Sequence, residues 1–251
     1  MKPMAQLMQD LQQAQRSLNT QCDATPVDCP LCNDRGLVLA KRDGEWYARP
    51  CQCIEKKALE RMIQASGLGD EERSVRLGDF KPDIFTATML RVVQKYLEEF
   101  PEIYQSRAIA KGLALTGHVG AGKTMLSLAV ANELLERRIP VVFVVTPALI
   151  GELRAAQFTD GGQALENKVN ALSTVEVAIF DDVAKEKVSE WVQTQYFRIV
   201  DNRYRHRLPT IFNSNHNFDE IAARLGDAVL SRLYAMTKGR QVWCQGADYR
   251  L

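Results

Sequence analysis

Leu113-Ala114-Leu115-Thr116-Gly117-His118-Val119-Gly120-Ala121-Gly122-Lys123-Thr124 carries an apolar run into a glycine-rich loop that closes on a lysine and a threonine. From Gly117 to Thr124 the residues fit the phosphate-loop pattern in full. The apolar run before the loop reads as a buried strand, and the residues from Met125 onward read as a helix. A loop in that place turns its backbone N–H groups inward at a helix start, where the helix dipole favours an anion. Gly117, His118, Val119, Gly120, Ala121, Gly122, Lys123, Thr124 and Met125 are therefore expected to hold a nucleoside triphosphate. Lys123 should reach the β and γ phosphates, and the Thr124 hydroxyl should bind Mg²⁺.

Working outward from the loop, Val177-Ala178-Ile179-Phe180-Asp181-Asp182 is the second signal. Four apolar residues make a buried strand, and two carboxylates follow at its end. An Asp there also suits a helix N-cap, but downstream of a phosphate loop the pair points to metal and water. Asp181 is expected to anchor Mg²⁺ and Asp182 to orient or deprotonate the attacking water. The Asp182 side chain is shorter than a Glu, which predicts slow hydrolysis, closer to a timer than to a motor. Asn215, after the strand Thr210-Ile211-Phe212, is placed to hold that water near the γ-phosphate.

Further apolar strands read at Val141–Val145 and Gln241–Cys244, with helices at Ile84–Tyr104, Lys123–Arg137, Pro147–Gln157 and Val188–His206. Continuous apolar strands alternating with helices predict an α/β fold whose parallel sheet is flanked by helices on both faces. With 46% apolar and 25% charged residues and a net charge of +1, the chain has the composition of a globular protein without a global field toward nucleic acid. No apolar run is long enough for a membrane span, and Met1–Thr20 lacks a signal-peptide core. The expected compartment is the cytoplasm, with reduced thiols.

The amino-terminal third differs in texture. Met4, Leu7, Met8, Leu11 and Leu18 form the stripe of an amphipathic helix. Beyond it, Cys29-Pro30-Leu31-Cys32 and Cys51-Gln52-Cys53 bracket a hairpin of Leu37–Ala40 and Trp46–Arg49 turning at Asp43-Gly44. Two close thiol pairs joined through a hairpin predict a tetrahedral Zn²⁺ site of Cys29, Cys32, Cys51 and Cys53. A redox pair or unligated thiols would share the residues but not the bracketing. Cys22 and Cys244 fall outside this spacing. The expected domains are residues 1–66 with the helix and zinc module, a linker at 67–82, and an ATPase domain at 83–251.

Together, Gly117–Thr124, Phe180-Asp181-Asp182, Pro209-Thr210 to Ser214-Asn215 and Ser231-Arg232-Leu233 resemble the AAA+ (ASCE) helicase loaders of the DnaC/DnaI type, phage-encoded members included, and the related IstB transposition ATPases. The resemblance implies a five-stranded parallel sheet of order 5-1-4-3-2, with ATP bound between subunits. It places Asp181 and Asp182 at the Walker-B position, Asn215 at sensor 1 and Arg232 at the arginine finger, with Arg224 as the competing finger. Sensor 2 stays open between Arg240 and Arg250. It also implies ATP hydrolysis, self-assembly on a hexameric replicative helicase through the zinc module, and delivery of that helicase to single-stranded DNA. The leading Met/Leu stripe either docks on a partner or packs on its own module. For DNA the candidates are the basic group Arg198, Arg203, Arg205, His206 and Arg207, which equally compensates a helix dipole, and Arg154, Phe158 and Lys168. An IstB-type transposition helper, or a nucleotide-gated binding module with little turnover, are the competing readings.

Overall fold

The computed structural model describes residues 28–42, 45–185 and 189–244. Two compact units divide between Ala58 and Leu59. The predicted stripe of Met1–Thr20, Cys22, the turn at Asp43-Gly44 and Arg250 lie outside the described residues.

In the smaller unit, β1 (Leu37–Arg42) and β2 (Glu45–Pro50) pair antiparallel, with Leu37 opposite Pro50 and Ala40 opposite Tyr47. The helix α1 (Cys53–Ala65) begins in this unit. Among the described residues its interior consists of the four cysteines with Val38 packed on them. Leu37, Leu39 and Trp46 are exposed, so among these residues the hairpin shows no apolar core of its own.

The larger unit is built on a parallel sheet. β3 (Leu113–Gly117), β4 (Val141–Val145), β5 (Val177–Asp181), β6 (Thr210–Ser214) and β7 (Gln241–Cys244) lie in the order β4-β5-β6-β3-β7. Numbered from the phosphate-loop strand and read from the other edge, this is the expected 5-1-4-3-2. Side chains alternate across the sheet. Leu113, Leu115, Val177 and Ile179 face one core, which they share with α3 (Ala87–Gln105) and α4 (Lys123–Glu136). Ala114, Ala178, Phe180 and Phe212 face the other. That second face is covered by α5 (Thr146–Ala156), α6 (Gln163–Thr174), α7 (Glu190–Arg205), α8 (Phe218–Leu225) and α9 (Asp227–Thr237).

Three expectations are corrected. Residues 67–82 are no linker: they contain α2 (Asp70–Ser74), and Leu68 and Phe80 are buried in the same core as α3 and α4. The Phe143 N–H donates to the Ser66 carbonyl at 2.7 Å, and Asn132 Nδ2 donates to the Glu72 and Val75 carbonyls at 2.8 Å each. The α3 helix starts at Ala87, after a turn in which the Asp83 carboxylate accepts from the N–H groups of Phe85 and Thr86. Arg203 leaves the basic surface group altogether, because its side chain is completely buried.

Candidate nucleotide site and cysteine cluster

The phosphate loop joins β3 to α4, and its glycines are required by neighbours as well as by backbone angles. Gly117 has φ +136°, and a Cβ there would come within 2.0 Å of the Cys244 carbonyl oxygen. Gly122 has φ +80°, and its Cβ would sit 2.4 Å from the Phe80 ring. Phe80, in the segment read as a linker, thus braces the loop against α4.

Lys123 starts α4 and is buried. Its Nζ donates to the carbonyls of Gly117 at 3.0 Å and His118 at 2.6 Å, and to Asn215 Oδ1 at 2.7 Å. Next to it, Thr124 Oγ1 donates to Asp181 Oδ1 at 2.9 Å. Asp181 closes β5; burial pushes its carboxyl above the usual carboxylate range, opposed by hydrogen bonds from Asn213 and Thr124. A hydroxyl and a carboxylate this close are hard oxygen donors of the kind Mg²⁺ takes.

Asp182 lies just past the strand in the left-handed region, with φ 55°. Its Oδ1 accepts from Asn215 Nδ2 at 3.3 Å, and its Oδ2 pairs with Lys185 Nζ at 2.7 Å. The cleft among these groups has a volume of about 480 Å³ and is lined by Val119, Gly120, Gly122, Lys123, Thr124, Met125, Asp182, Lys185 and Asn215. Lys123, Thr124, Asp181, Asp182 and Asn215 therefore meet in one place, although they come from three different strand ends.

Two residues of this site escaped the sequence reading. Asn213, fully buried in β6, donates from Nδ2 to Asp181 and to Ser127 Oγ, and its Oδ1 accepts from the Asp182 N–H at 2.8 Å. One amide so holds the Asp181 carboxylate and the Asp182 backbone. The available signal was an Asn directly after the apolar pair Ile211-Phe212, still inside the buried strand. Lys185 is the other.

Arg232 is not among the residues lining this cleft. It lies on α9, with Nε 2.6 Å from Asp201 Oδ1, Nη1 donating to the Ala228 carbonyl at 2.8 Å, and the guanidinium 4.6 Å from the Phe197 ring centre. Arg240 is likewise held elsewhere, donating to the Ala110 carbonyl at 2.9 Å. The remaining basic candidates near α7 have partners: Arg205 with Asp201 at 2.7 Å, Arg207 with the Arg107 carbonyl at 2.8 Å, Arg198 with Glu166. Lys168 pairs with Glu152 at 2.8 Å, while Arg154 and Phe158 are exposed.

In the smaller unit the four cysteine sulfurs lie within 4.8 Å of one another, with Cys29 Sγ 3.8 Å from Cys51 Sγ and Cys32 Sγ 3.4 Å from Cys53 Sγ. A tetrahedral ZnS₄ centre with Zn–S near 2.3 Å requires sulfurs about 3.8 Å apart, so this donor set fits Zn²⁺. The first pair is oriented from behind: Asp34 accepts from the Cys29 N–H at 3.2 Å and from Lys57 Nζ at 2.7 Å. A hydrogen bond from the Cys32 backbone lowers the Cys29 thiol to about 7, whereas the hydrogen bond with the Cys32 side chain holds the Cys53 thiol well above its usual range.

The strand β6 lies between the phosphate-loop strand and the acidic strand, and five parallel strands carry helices on both faces. Loop, strand order and paired carboxylates define a P-loop domain of the AAA+ class. A family model described as IstB-like ATP binding protein matches residues 92–250, and the chain belongs to that family. It is 27% identical over 267 residues to the phage-like element PBSX protein XkdC of Bacillus subtilis, covering 98% of this chain and 94% of that one. It is 33% identical over 140 residues to the replicative helicase loader DnaI of the same organism, covering 55% of this chain and 44% of the loader. The crystal structure of DnaI superposes with a TM-score of 0.61 at 24% identity, over 76% of this chain and all of that one, a likeness of fold. Among the described residues, no helix is long and apolar enough to cross a membrane.

Proposed function

We propose that this chain is an ATP-hydrolysing loader that binds a replicative helicase and delivers it to single-stranded DNA. The observation that carries the reading is the meeting of Lys123, Thr124, Asp182 and Asn215 in one cleft, with Asp181 bonded to Thr124 beside it. Lys123 and the loop N–H groups bind the phosphates, Thr124 and Asp181 hold Mg²⁺, and Asp182 with Asn215 positions the attacking water. Bound magnesium would supply charge neutralisation at the transferring phosphoryl group. Similarity to DnaI supports the loader assignment.

The cysteine unit is the helicase-binding part, held together by Zn²⁺ on Cys29, Cys32, Cys51 and Cys53. Among the described residues its buried interior is the four thiols with Val38 packed on them, which supports a fold that depends on the metal. Exposed Arg154 and Phe158 offer a cation and a stacking face to single-stranded DNA. The match to the IstB-like model favours a second reading, a helper ATPase for a transposase. Affinity capture with the full chain separates the two. The expected result is retention of replicative helicase, lost on chelation of zinc or in Cys32→Ser; retention of a transposase subunit instead overturns the loader reading.

Arg232 acts on the ATP of a neighbouring subunit in this scheme. Its Nε and Nη1 are engaged by its own chain, and the rest of the guanidinium remains for a phosphate in trans. A trans-acting arginine contributes about three to five orders of magnitude in rate. Arg232→Ala should bind ATP like the wild type yet show no stimulation when the chain assembles on its partner. Loss of nucleotide binding in that variant, measured by calorimetry, removes Arg232 from the finger role.

A further inference from the structure

We propose that Lys185 reads the γ-phosphate of the bound nucleotide, moving onto it from Asp182 and so distinguishing a triphosphate from a diphosphate. The inference rests on the reading of the cleft as an ATP site and adds a residue that the phosphate-loop and acidic-strand motifs do not contain. Lys185 lines the same cleft as Gly120, Lys123, Thr124 and Asn215. Its Nζ is 2.7 Å from Asp182 Oδ2, the other Asp182 oxygen takes Asn215 Nδ2 at 3.3 Å, and Asn215 Oδ1 takes Lys123 Nζ at 2.7 Å. Lys123, Asn215, Asp182 and Lys185 thus form one polar chain across the cleft with an ammonium group at each end. The inner lysine is 5% exposed, whereas the Lys185 side chain is 56% exposed and sits at the outer end.

The backbone is bent to put it there. Asp182 and Ala184 both lie in the left-handed region, at φ 55° and 63°, and the Lys185 N–H closes the turn on the Asp182 carbonyl at 3.3 Å. Two non-glycine residues in that region within one short turn are unfavourable, and such conformations collect at functional sites. Their effect here is to fold the lysine back over Asp182.

Charge sets how the lysine responds to a nucleotide. A terminal phosphate placed by Lys123 and Asn215 brings negative charge toward the Asp182 carboxylate, and the two repel. A lysine on a flexible stem relieves this by contacting both groups or by passing from one to the other. When it leaves, Asp182 Oδ2 loses its cation and becomes available as a hydrogen-bond acceptor for water. The carboxylate is then released for its role only when a γ-phosphate is present. A diphosphate ends before this part of the chain and has nothing to offer Lys185. A plain surface ion pair, by contrast, would be indifferent to which nucleotide is bound.

The test is calorimetric titration of the full chain, with Mg²⁺, using ADP and a non-hydrolysable ATP analogue. Wild type, Lys185→Met, Asp182→Asn and the double variant are compared, with unchanged melting confirming that each is folded. Lys185→Met should weaken the triphosphate analogue on the order of tenfold while leaving ADP within about twofold. The loss should persist when Asp182 is already Asn, because the contact is with phosphate. Equal weakening of both nucleotides, no weakening, or a loss that vanishes in the Asp182→Asn background each overturns the assignment to Lys185. Wild-type protein that binds neither nucleotide overturns the ATP-site reading, and this proposal with it.

Discussion

Asp182→Asn should bind ATP at least as tightly as the wild type while its turnover falls by about two to four orders of magnitude, the usual contribution of a positioned acid or base. The separation follows from what each carboxylate touches. Asp181 meets Thr124 and the buried Asn213, so in the proposed scheme it serves the metal and the frame of the site. The Asp182 carboxylate touches neither; its oxygens face Asn215 and Lys185, on the cleft side. An Asn keeps the size and one oxygen acceptor toward Asn215, and loses only the charge and the basicity. The pair it gives up with Lys185 is partly exposed and worth at most about 1 kcal/mol, so folding should be unaffected. Removing a negative charge from beside the γ-phosphate should if anything strengthen binding. Asp181→Asn, by comparison, should weaken Mg²⁺-dependent binding itself. Steady-state phosphate release and calorimetry on the two variants make the comparison. Hydrolysis by Asp182→Asn at the wild-type rate would falsify the role given to this carboxylate; negligible turnover by both proteins with tight binding would favour a nucleotide-gated binding module.

What the sequence disclosed, and what it hid, divide along physical lines. The strands at Leu113, Val141 and Val177 were legible because a parallel strand covered on both faces is an almost continuous apolar run, and those at Thr210 and Gln241 showed shorter apolar cores. The phosphate loop was legible because positions 117 and 122 combine a positive φ with neighbours that exclude a Cβ, which calls for glycine at both. Residues 67–82 were misread because Gly67 and Gly69 signal a break, and Leu68 and Phe80 are too far apart in sequence to show a period. Their burial is a tertiary fact. Lys185 was passed over because a lysine after an acidic turn looks like any solvated residue until the turn's backbone is seen to fold it into the cleft. Arg232 was picked out by resemblance, and the geometry adds that its own chain holds it through Asp201 and Phe197. Asn213 sat inside a stretch already singled out for Asn215, one strand residue too early to look like a site.

Arg203 hid in the most misleading place, a run of Arg203-Tyr204-Arg205-His206-Arg207 that reads as a solvated helix end. Arg203→Ala should destabilise the larger unit by about 3–5 kcal/mol, the range for breaking a buried polar cluster by deleting its cation. The side chain is completely buried, and its donors reach the carbonyls of Leu172 and Val175 at 2.8 Å, Pro209 at 2.7 Å and the Thr210 hydroxyl at 2.9 Å. Burial draws its pKa down to about 9, so it remains a cation at neutral pH. These acceptors belong to the end of α6, the approach to β5 and the start of β6, the two strands that carry Asp181, Asp182 and Asn213. Removing the guanidinium strands several carbonyls in a dry site, each at a cost of about 1–3 kcal/mol before relaxation. Lysine is no substitute, since a single ammonium cannot span acceptors arranged around a planar fork, and Arg203→Lys should lose nearly as much. For a unit of this size the expected fall in melting temperature is on the order of 10 °C. Arg205→Ala is the control, being largely exposed and paired only at the surface with Asp201, and should cost less than about 1 kcal/mol. Equal melting of the Arg203→Ala and Arg205→Ala proteins would mean that water or rearrangement satisfies the stranded carbonyls, and that the two strand ends are held in place without this arginine.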